Sequence, residues 1–256
     1  MRSVTITRFS PLSYAGAEAV NMLCTNLSFS GENIKKIMFT SCHASEGKSY
    51  LSMNVMRTLA KLGKSVVLVD ADLRRSMIIQ RYGVQFTDEE EQVGLSHYLA
   101  GMADETSVVY ETDILGAYIV PVGRKVSNSL PLLNSSRFQK LLDDLAAEFD
   151  YVIVDAPPIG LVIDAAQISK YCDGTVLVVG YNSVRRQELA DAKAQIDQTG
   201  CPILGAVLNQ TEYDNYLSKK YSYKSYYSHY GYYQKDDDSD SKGKKNEKAR
   251  AKKKEE

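Results

Sequence analysis

Short runs of β-branched and apolar residues recur through the chain with longer amphipathic stretches between them, and this alternation narrows the possible folds more than any other feature. The runs are Ile37 to Ser41, Ser65 to Val69, Tyr118 to Val122, Tyr151 to Val154, Thr175 to Val179 and Ile203 to Leu208. Several, such as VVLV and VIV, are apolar without a polar alternate, the mark of strands covered on both faces. Helices are predicted over Lys48 to Leu62, Ser135 to Phe149 and Val184 to Thr199, the last ending before a capping Gly200. A short helix starts at Asp164 and another covers Tyr14 to Leu27, while the polar stretch Phe86 to Glu91 reads as a loop. The expected architecture is α/β, with a doubly wound, mostly parallel sheet.

With 256 residues, 44% of them hydrophobic, the chain can bury one sizeable core. Its net charge of −1 supplies no overall attraction to polyanions, so no nucleic-acid partner is expected. Cys24, Cys42, Cys172 and Cys201 include no CxxC pair, and His43, His97 and His229 share no ligand spacing, which argues against a disulfide framework or a structural metal. The N-terminus lacks a signal-peptide core, and no apolar run approaches the ~18 residues of a membrane span. A cytoplasmic location is expected.

Directly after the first of these runs the chain reads SCHASEGKS and then turns helical. That is the context of a P-loop, in which backbone N–H groups and a helix N-terminus surround phosphates. Lys48 is placed to reach the β- and γ-phosphates and the Ser49 hydroxyl to meet Mg²⁺. The match to GxxxxGK[ST] is incomplete, since Cys42 replaces the first glycine and Ala44 and Ser45 stand where glycine is common. A positive φ at Ser45 would cost on the order of 1 kcal/mol. VVLVDADLRRS then places Asp70 and Asp72 at one strand end, and VIVDAPP places Asp155 at another. Carboxylates at the C-terminal edge of a parallel sheet lie where open α/β folds bind ligands. A single such Asp is more often a turn or cap residue; three together with GKS point to a nucleotide site.

GKS, VLVDADLRR, VIVDAPP and a late GAVLN together resemble the bacterial tyrosine kinases, relatives of the partitioning-type P-loop ATPases. The resemblance runs from about Ser10 to Tyr233 and is closest to forms in which kinase and transmembrane activator are separate chains. It implies ATP and Mg²⁺ as cofactors, with Cys42, His43, Ala44, Ser45, Glu46, Gly47, Lys48, Ser49 and Tyr50 forming the nucleotide loop and Asn209 contacting adenine. It also implies that Asp70 orients or deprotonates the tyrosine hydroxyl, while Ser49, Asp72 and Asp155 organise Mg²⁺. The partners it implies are a membrane activator of the polysaccharide co-polymerase type that recruits the chain to the inner membrane face, a cognate tyrosine phosphatase, and further copies of the chain. The family's N-terminal helix carries Glu and two Arg at three-residue spacing; here Glu18 is followed by Asn21 and Cys24. Ser76 stands where proline is common after Arg74 and Arg75.

Residues 213–233 hold half of the chain's 18 tyrosines, a concentration that no core requires. Tyr221, Tyr223, Tyr226, Tyr227, Tyr230, Tyr232 and Tyr233 are the expected phosphoacceptors; a stacking surface for single-stranded nucleic acid is the weaker reading. Residues 234–256 contain no large apolar side chain and are expected to be disordered, their lysine-rich end serving solubility ahead of membrane attraction. The expected organisation is an N-terminal segment with its helix (1–30), a P-loop domain (31–212), a tyrosine-rich tail (213–233) and a charged tail (234–256). The leading function is a tyrosine kinase that phosphorylates its own tail and controls capsule or exopolysaccharide production. The alternatives are a partitioning-type switch ATPase and a weakly active nucleotide-bound scaffold. Asp164, Arg185 and Arg186 are second-tier candidates for the edge of the site.

Overall fold

A computed structural model describes residues 2–87 and 92–211. Chain order begins β1 (Arg2–Ile6), α1 (Tyr14–Ser28), β2 (Lys36–Ser41), α2 (Lys48–Lys61) and β3 (Val66–Asp70). There follow α3 (Ile78–Tyr82), β4 (Val84–Phe86), α4 (Leu95–Leu99), α5 (Glu105–Val108), β5 (Tyr110–Thr112) and β6 (Ala117–Val120). The remainder is α6 (Leu130–Leu133), α7 (Ser136–Glu148), β7 (Tyr151–Asp155), α8 (Asp164–Ser169), β8 (Gly174–Gly180), α9 (Arg186–Asp197) and β9 (Ile203–Asn209).

The strands form one sheet in the order β4-β1-β5-β6-β3-β7-β2-β8-β9. From β6 to β9 every pairing is parallel, and the antiparallel pairs are β1 with β4 and β5 with β6. Period-two alternation explains the unbroken apolar runs, because each face of each central strand has its own core. Ile37, Phe39, Val66, Leu68 and Ile153 join the core that includes α1 and α2. Met38, Val67, Val69, Val152 and Val154 join the opposite core, which α7, α8 and α9 complete. Each fully buried side chain of this size contributes ~1.5–3 kcal/mol.

This layout brings the C-terminal ends of β2, β3 and β7 side by side, with Asp155 opposite both Phe39 and Asp70. The β2 connection climbs into α2 while the β3 and β7 connections leave on the same edge, so the GKS turn and the aspartates share a crevice.

The predicted central strands and long helices recur with end shifts of a few residues. α9 begins at Arg186, two residues after the predicted start, because the Glu188 carboxylate accepts from the Arg185 N–H at 2.7 Å and caps the helix there. Phe86, expected in a loop, closes β4 instead, paired with Val4; residues 88–91 of that stretch lie outside the described residues. Cys24, one of the two residues that replace the family's helix arginines, points inward against α2, while Glu18 and Asn21 are exposed. All four cysteines are buried free thiols, and burial pushes the Cys24 thiol up to about 12. Among the described residues no helix is long and apolar enough to cross a membrane. The tyrosine cluster and the charged tail lie outside the described residues.

Candidate active site

The connection from β2 to α2 is the SCHASEGKS loop, and its backbone is specialised at two points. Ser45 takes φ 67, the left-handed conformation that its missing glycine would have supplied without strain. Gly47 takes φ 91 at the N-cap of α2, where a Cβ would come within 2.0 Å of the Asn209 amide nitrogen. Only glycine meets both conditions. Gly47→Ala is therefore expected to push Asn209 off the loop and to weaken nucleotide binding at least tenfold, measured by titration with a fluorescent ADP analogue.

The loop is braced from outside as well. The buried Glu46 carboxylate accepts from the His43 N–H (2.7 Å) within the loop, and from the Gly180 N–H (2.9 Å) and Ser183 hydroxyl (2.7 Å) at the end of β8. Asn209 donates its amide to the Glu46 carbonyl at 2.9 Å, and Gln210 donates to the Ser45 carbonyl at 2.7 Å. The first turn of α2 leaves backbone N–H groups without intrahelical acceptors, an arrangement that attracts anions.

At the mouth of this loop the Lys48 ammonium lies 3.3 Å from an Asp72 carboxylate oxygen, 3.9 Å from one of Asp155 and 3.4 Å from the Ser49 hydroxyl. Asp155 also accepts from Ser52 at 3.2 Å, one helical turn beyond Lys48 on the same face of α2. Asp72 accepts from the Arg75 N–H at 3.0 Å, which fixes the turn after β3. Asp70 accepts from the Ser76 hydroxyl through one oxygen; its other oxygen is buried with no hydrogen-bond partner.

Burial raises the pKa of Asp70 to about 8, and the neighbouring Asp155 adds to the shift, while Ser76 and Lys48 oppose it. Asp155 is raised for the same first reason, burial, against the pull of Lys48. Burial disfavours the Lys48 charge too, but Asp155, Asp72 and Asp70 outweigh it and hold its pKa above the ordinary value. Three carboxylates therefore face one ammonium in a buried site. That excess of negative charge, together with the orphaned Asp70 oxygen, fits a divalent cation. Among the described residues no three His, Cys, Asp or Glu side chains enclose a metal by themselves. Mg²⁺, which keeps waters and takes phosphate oxygens, does not need such an enclosure.

Beside the loop, a cavity of about 510 Å³ is lined by Arg8, Phe9, Ser45, Gly47, Tyr50, Arg81, Tyr82 and Asn209. It lies off the carboxylate cluster, and the arginines and Phe9 that line it were not among the residues singled out from the sequence. Neither were Ser52 and the Glu46 brace; only Ser52 carried a legible signal, its four-residue spacing from Lys48. Asp164 is buried at a second junction, where it accepts from Arg74 (2.8 Å) and Ser129 and ties the loop after β3 to α8. Arg185 serves the α9 cap, and Cys42 is buried beneath the loop.

A family model described as an AAA domain matches residues 34–180. The tyrosine-protein kinase CpsD of Streptococcus pneumoniae is 36% identical over 84% of this chain and 91% of its own. The chain belongs to the bacterial tyrosine kinase family. The kinase domain of Escherichia coli tyrosine kinase ETK superposes on this kinase with a TM-score of 0.70 and 31% identity, covering 76% of this chain and 75% of that one. The septum site-determining protein MinD of Pyrococcus horikoshii, solved with Mg-ADP, shares the fold at a TM-score of 0.58 and 23% identity, over 70% of this chain and 72% of its own. The protein is thus a protein-tyrosine kinase built on a P-loop nucleotide-binding fold, and its GKS loop and acidic strand ends occupy one crevice of that fold.

Proposed function

We propose that the kinase transfers the γ-phosphoryl group of Mg-ATP to tyrosines of its own C-terminal segment, Tyr221, Tyr223, Tyr226, Tyr227, Tyr230, Tyr232 and Tyr233. The observation that carries this reading is the Lys48 ammonium at 3.3 and 3.9 Å from Asp72 and Asp155 at the N-terminus of α2. In it, residues 42–50 cradle the phosphates, Lys48 meets the β- and γ-phosphate oxygens, and Ser49, Asp72 and Asp155 hold Mg²⁺. Bound Mg-ATP supplies the transferable phosphoryl group and the charge that the three carboxylates lack. Asp70 takes the phenol proton in its ionised form, which the charge of bound Mg²⁺ would favour against the burial that raises its pKa to about 8, since a hydroxyl of pKa ~10 is a weak nucleophile at neutral pH.

The cavity beside the loop suits the nucleoside. The Asn209 side chain gives one amide hydrogen to the Glu46 carbonyl, which leaves its second amide hydrogen and its carbonyl oxygen, a donor beside an acceptor, for a base.

Residues 31–212 act as the catalytic domain, behind an N-terminal segment (1–30) and ahead of the tyrosine-rich (213–233) and charged (234–256) tails. A tail tethered to the body supplies acceptors at high local concentration, and a second copy's tail serves equally, which favours homo-oligomers held by tail-to-site contacts. The membrane-bound activator, the opposing phosphatase and the control of capsule or exopolysaccharide synthesis rest on the family resemblance.

The test incubates full-length protein with Mg-ATP and its activator, then maps phosphotyrosine by mass spectrometry in wild type and in a variant with all seven tyrosines changed to phenylalanine. Modification concentrated on the seven and lost from the variant is expected. Phosphate release without protein modification would point instead to a switch ATPase, and nucleotide binding with neither to a scaffold.

A further inference from the structure

The loop after β3 carries a contact that the phosphotransfer reading does not use. The Ser76 side chain is buried, its backbone N–H donates to the Asp72 carbonyl at 3.0 Å, and its hydroxyl donates to Asp70. The same hydroxyl oxygen lies 3.4 Å from the N–H of Ile78, where α3 begins. A serine hydroxyl has one hydrogen to give. Here it goes to one oxygen of Asp70, and the other is left buried and unpartnered. A free carboxylate would turn about its terminal torsion over a broad range. This one is pinned on one side by a residue that is itself held at both its backbone and its hydroxyl.

We propose that Ser76 is a positioning residue: by holding one oxygen of the buried Asp70 carboxylate it fixes the rotation of that group within the site. This rests on the reading of Asp70 as the proton acceptor. Ser76 touches neither the phosphate loop nor Lys48 through any hydrogen bond described above, so its action falls on acceptor activation and not on nucleotide capture. Misplacing a reacting group by about 1 Å is enough to cost on the order of 10²-fold in rate.

The experiment compares wild type, Ser76→Ala, Ser76→Thr and Asp70→Asn in the full chain, measuring kcat for tyrosine phosphorylation, KM for ATP and affinity for Mg-ADP, with thermal unfolding as a check on folding. Expected for Ser76→Ala is a kcat roughly 10- to 100-fold lower, with KM for ATP and Mg-ADP affinity within twofold of wild type. Ser76→Thr, which keeps the hydroxyl, recovers most of the rate. Wild-type kcat in Ser76→Ala alongside an inactive Asp70→Asn would overturn the positioning role and leave Asp70 as the base. Joint loss of kcat and Mg-ADP affinity in Ser76→Ala would overturn it in favour of a merely structural part. Full activity in Asp70→Asn would remove the reading of Asp70 and the positioning role with it.

Discussion

Lys48→Met is expected to lower tyrosine phosphorylation by roughly 10²–10³-fold, the scale seen when one preorganised electrostatic contact to a transition state is removed. Phosphoryl transfer asks the protein mainly for alignment and charge stabilisation, and Lys48 is the ammonium set among Asp72, Asp155 and Ser49. The substitution also has a structural signature. It leaves the carboxylates at the ends of β3 and β7 without their cation, and breaking a buried pair in this way costs about 3–5 kcal/mol when the remaining charge is retained. Lowering the pH relieves that penalty, because protonated carboxylates need no partner. The stability deficit of Lys48→Met should therefore widen from pH 6 to pH 8, read as the difference in Tm from wild type at each pH. A deficit independent of pH, or wild-type phosphorylation, would contradict the placement of Lys48.

The parts of this site that were legible in the sequence are those fixed by local chain geometry. GKS after an apolar run places an anion-binding turn, and an aspartate closing VVLV or VIV ends a buried strand at the sheet's C-terminal edge. Long elements were legible for the same reason: Ser135 and Phe149 bracket α7 because leucines recur at helical spacing between them. Three short outer strands were not. β1, β4 and β5 are too short for a period to register, and what orders them is pairing with strands distant in sequence, as when Val4 meets Phe86 on one side and Thr112 on the other. Contacts that depend on tertiary approach were hidden too. Nothing local tells that Glu46 reaches the end of β8, or that Asn209 spends its amide on the loop and so excludes any side chain at Gly47. Ser76 reads as a departure from a familiar pattern, and only the fold reveals that its hydroxyl meets Asp70.

Asp70→Asn should produce an enzyme that is both slower and more stable. On the rate side, removing the proton acceptor is expected to lower tyrosine phosphorylation by roughly 10²–10⁴-fold, the usual contribution of a positioned base. On the stability side, the folded pKa of Asp70 is about 8, well above the ~3.9 of an unfolded chain, because burial and Asp155 both oppose its charge. A group whose pKa rises on folding favours the fold below its unfolded value and loses that contribution as pH climbs through the folded one. Wild type without nucleotide is thus penalised at pH 8.5 relative to pH 5 by this carboxylate, and the asparagine, neutral throughout, is not. Replacing a poorly compensated buried charge commonly stabilises by about 1–4 kcal/mol. At roughly 2–4 °C per kcal/mol for a chain of this size, thermal unfolding should show the variant several degrees above wild type at pH 8.5 and converging with it at pH 5. Mg-ADP should narrow the gap at high pH by stabilising wild type more than the variant, since the carboxylate then gains the positive charge it lacks. A variant less stable than wild type at pH 8.5 would mean that the three carboxylates are already balanced without a cation, and the electrostatic case for Mg²⁺ at this edge of the sheet would fail.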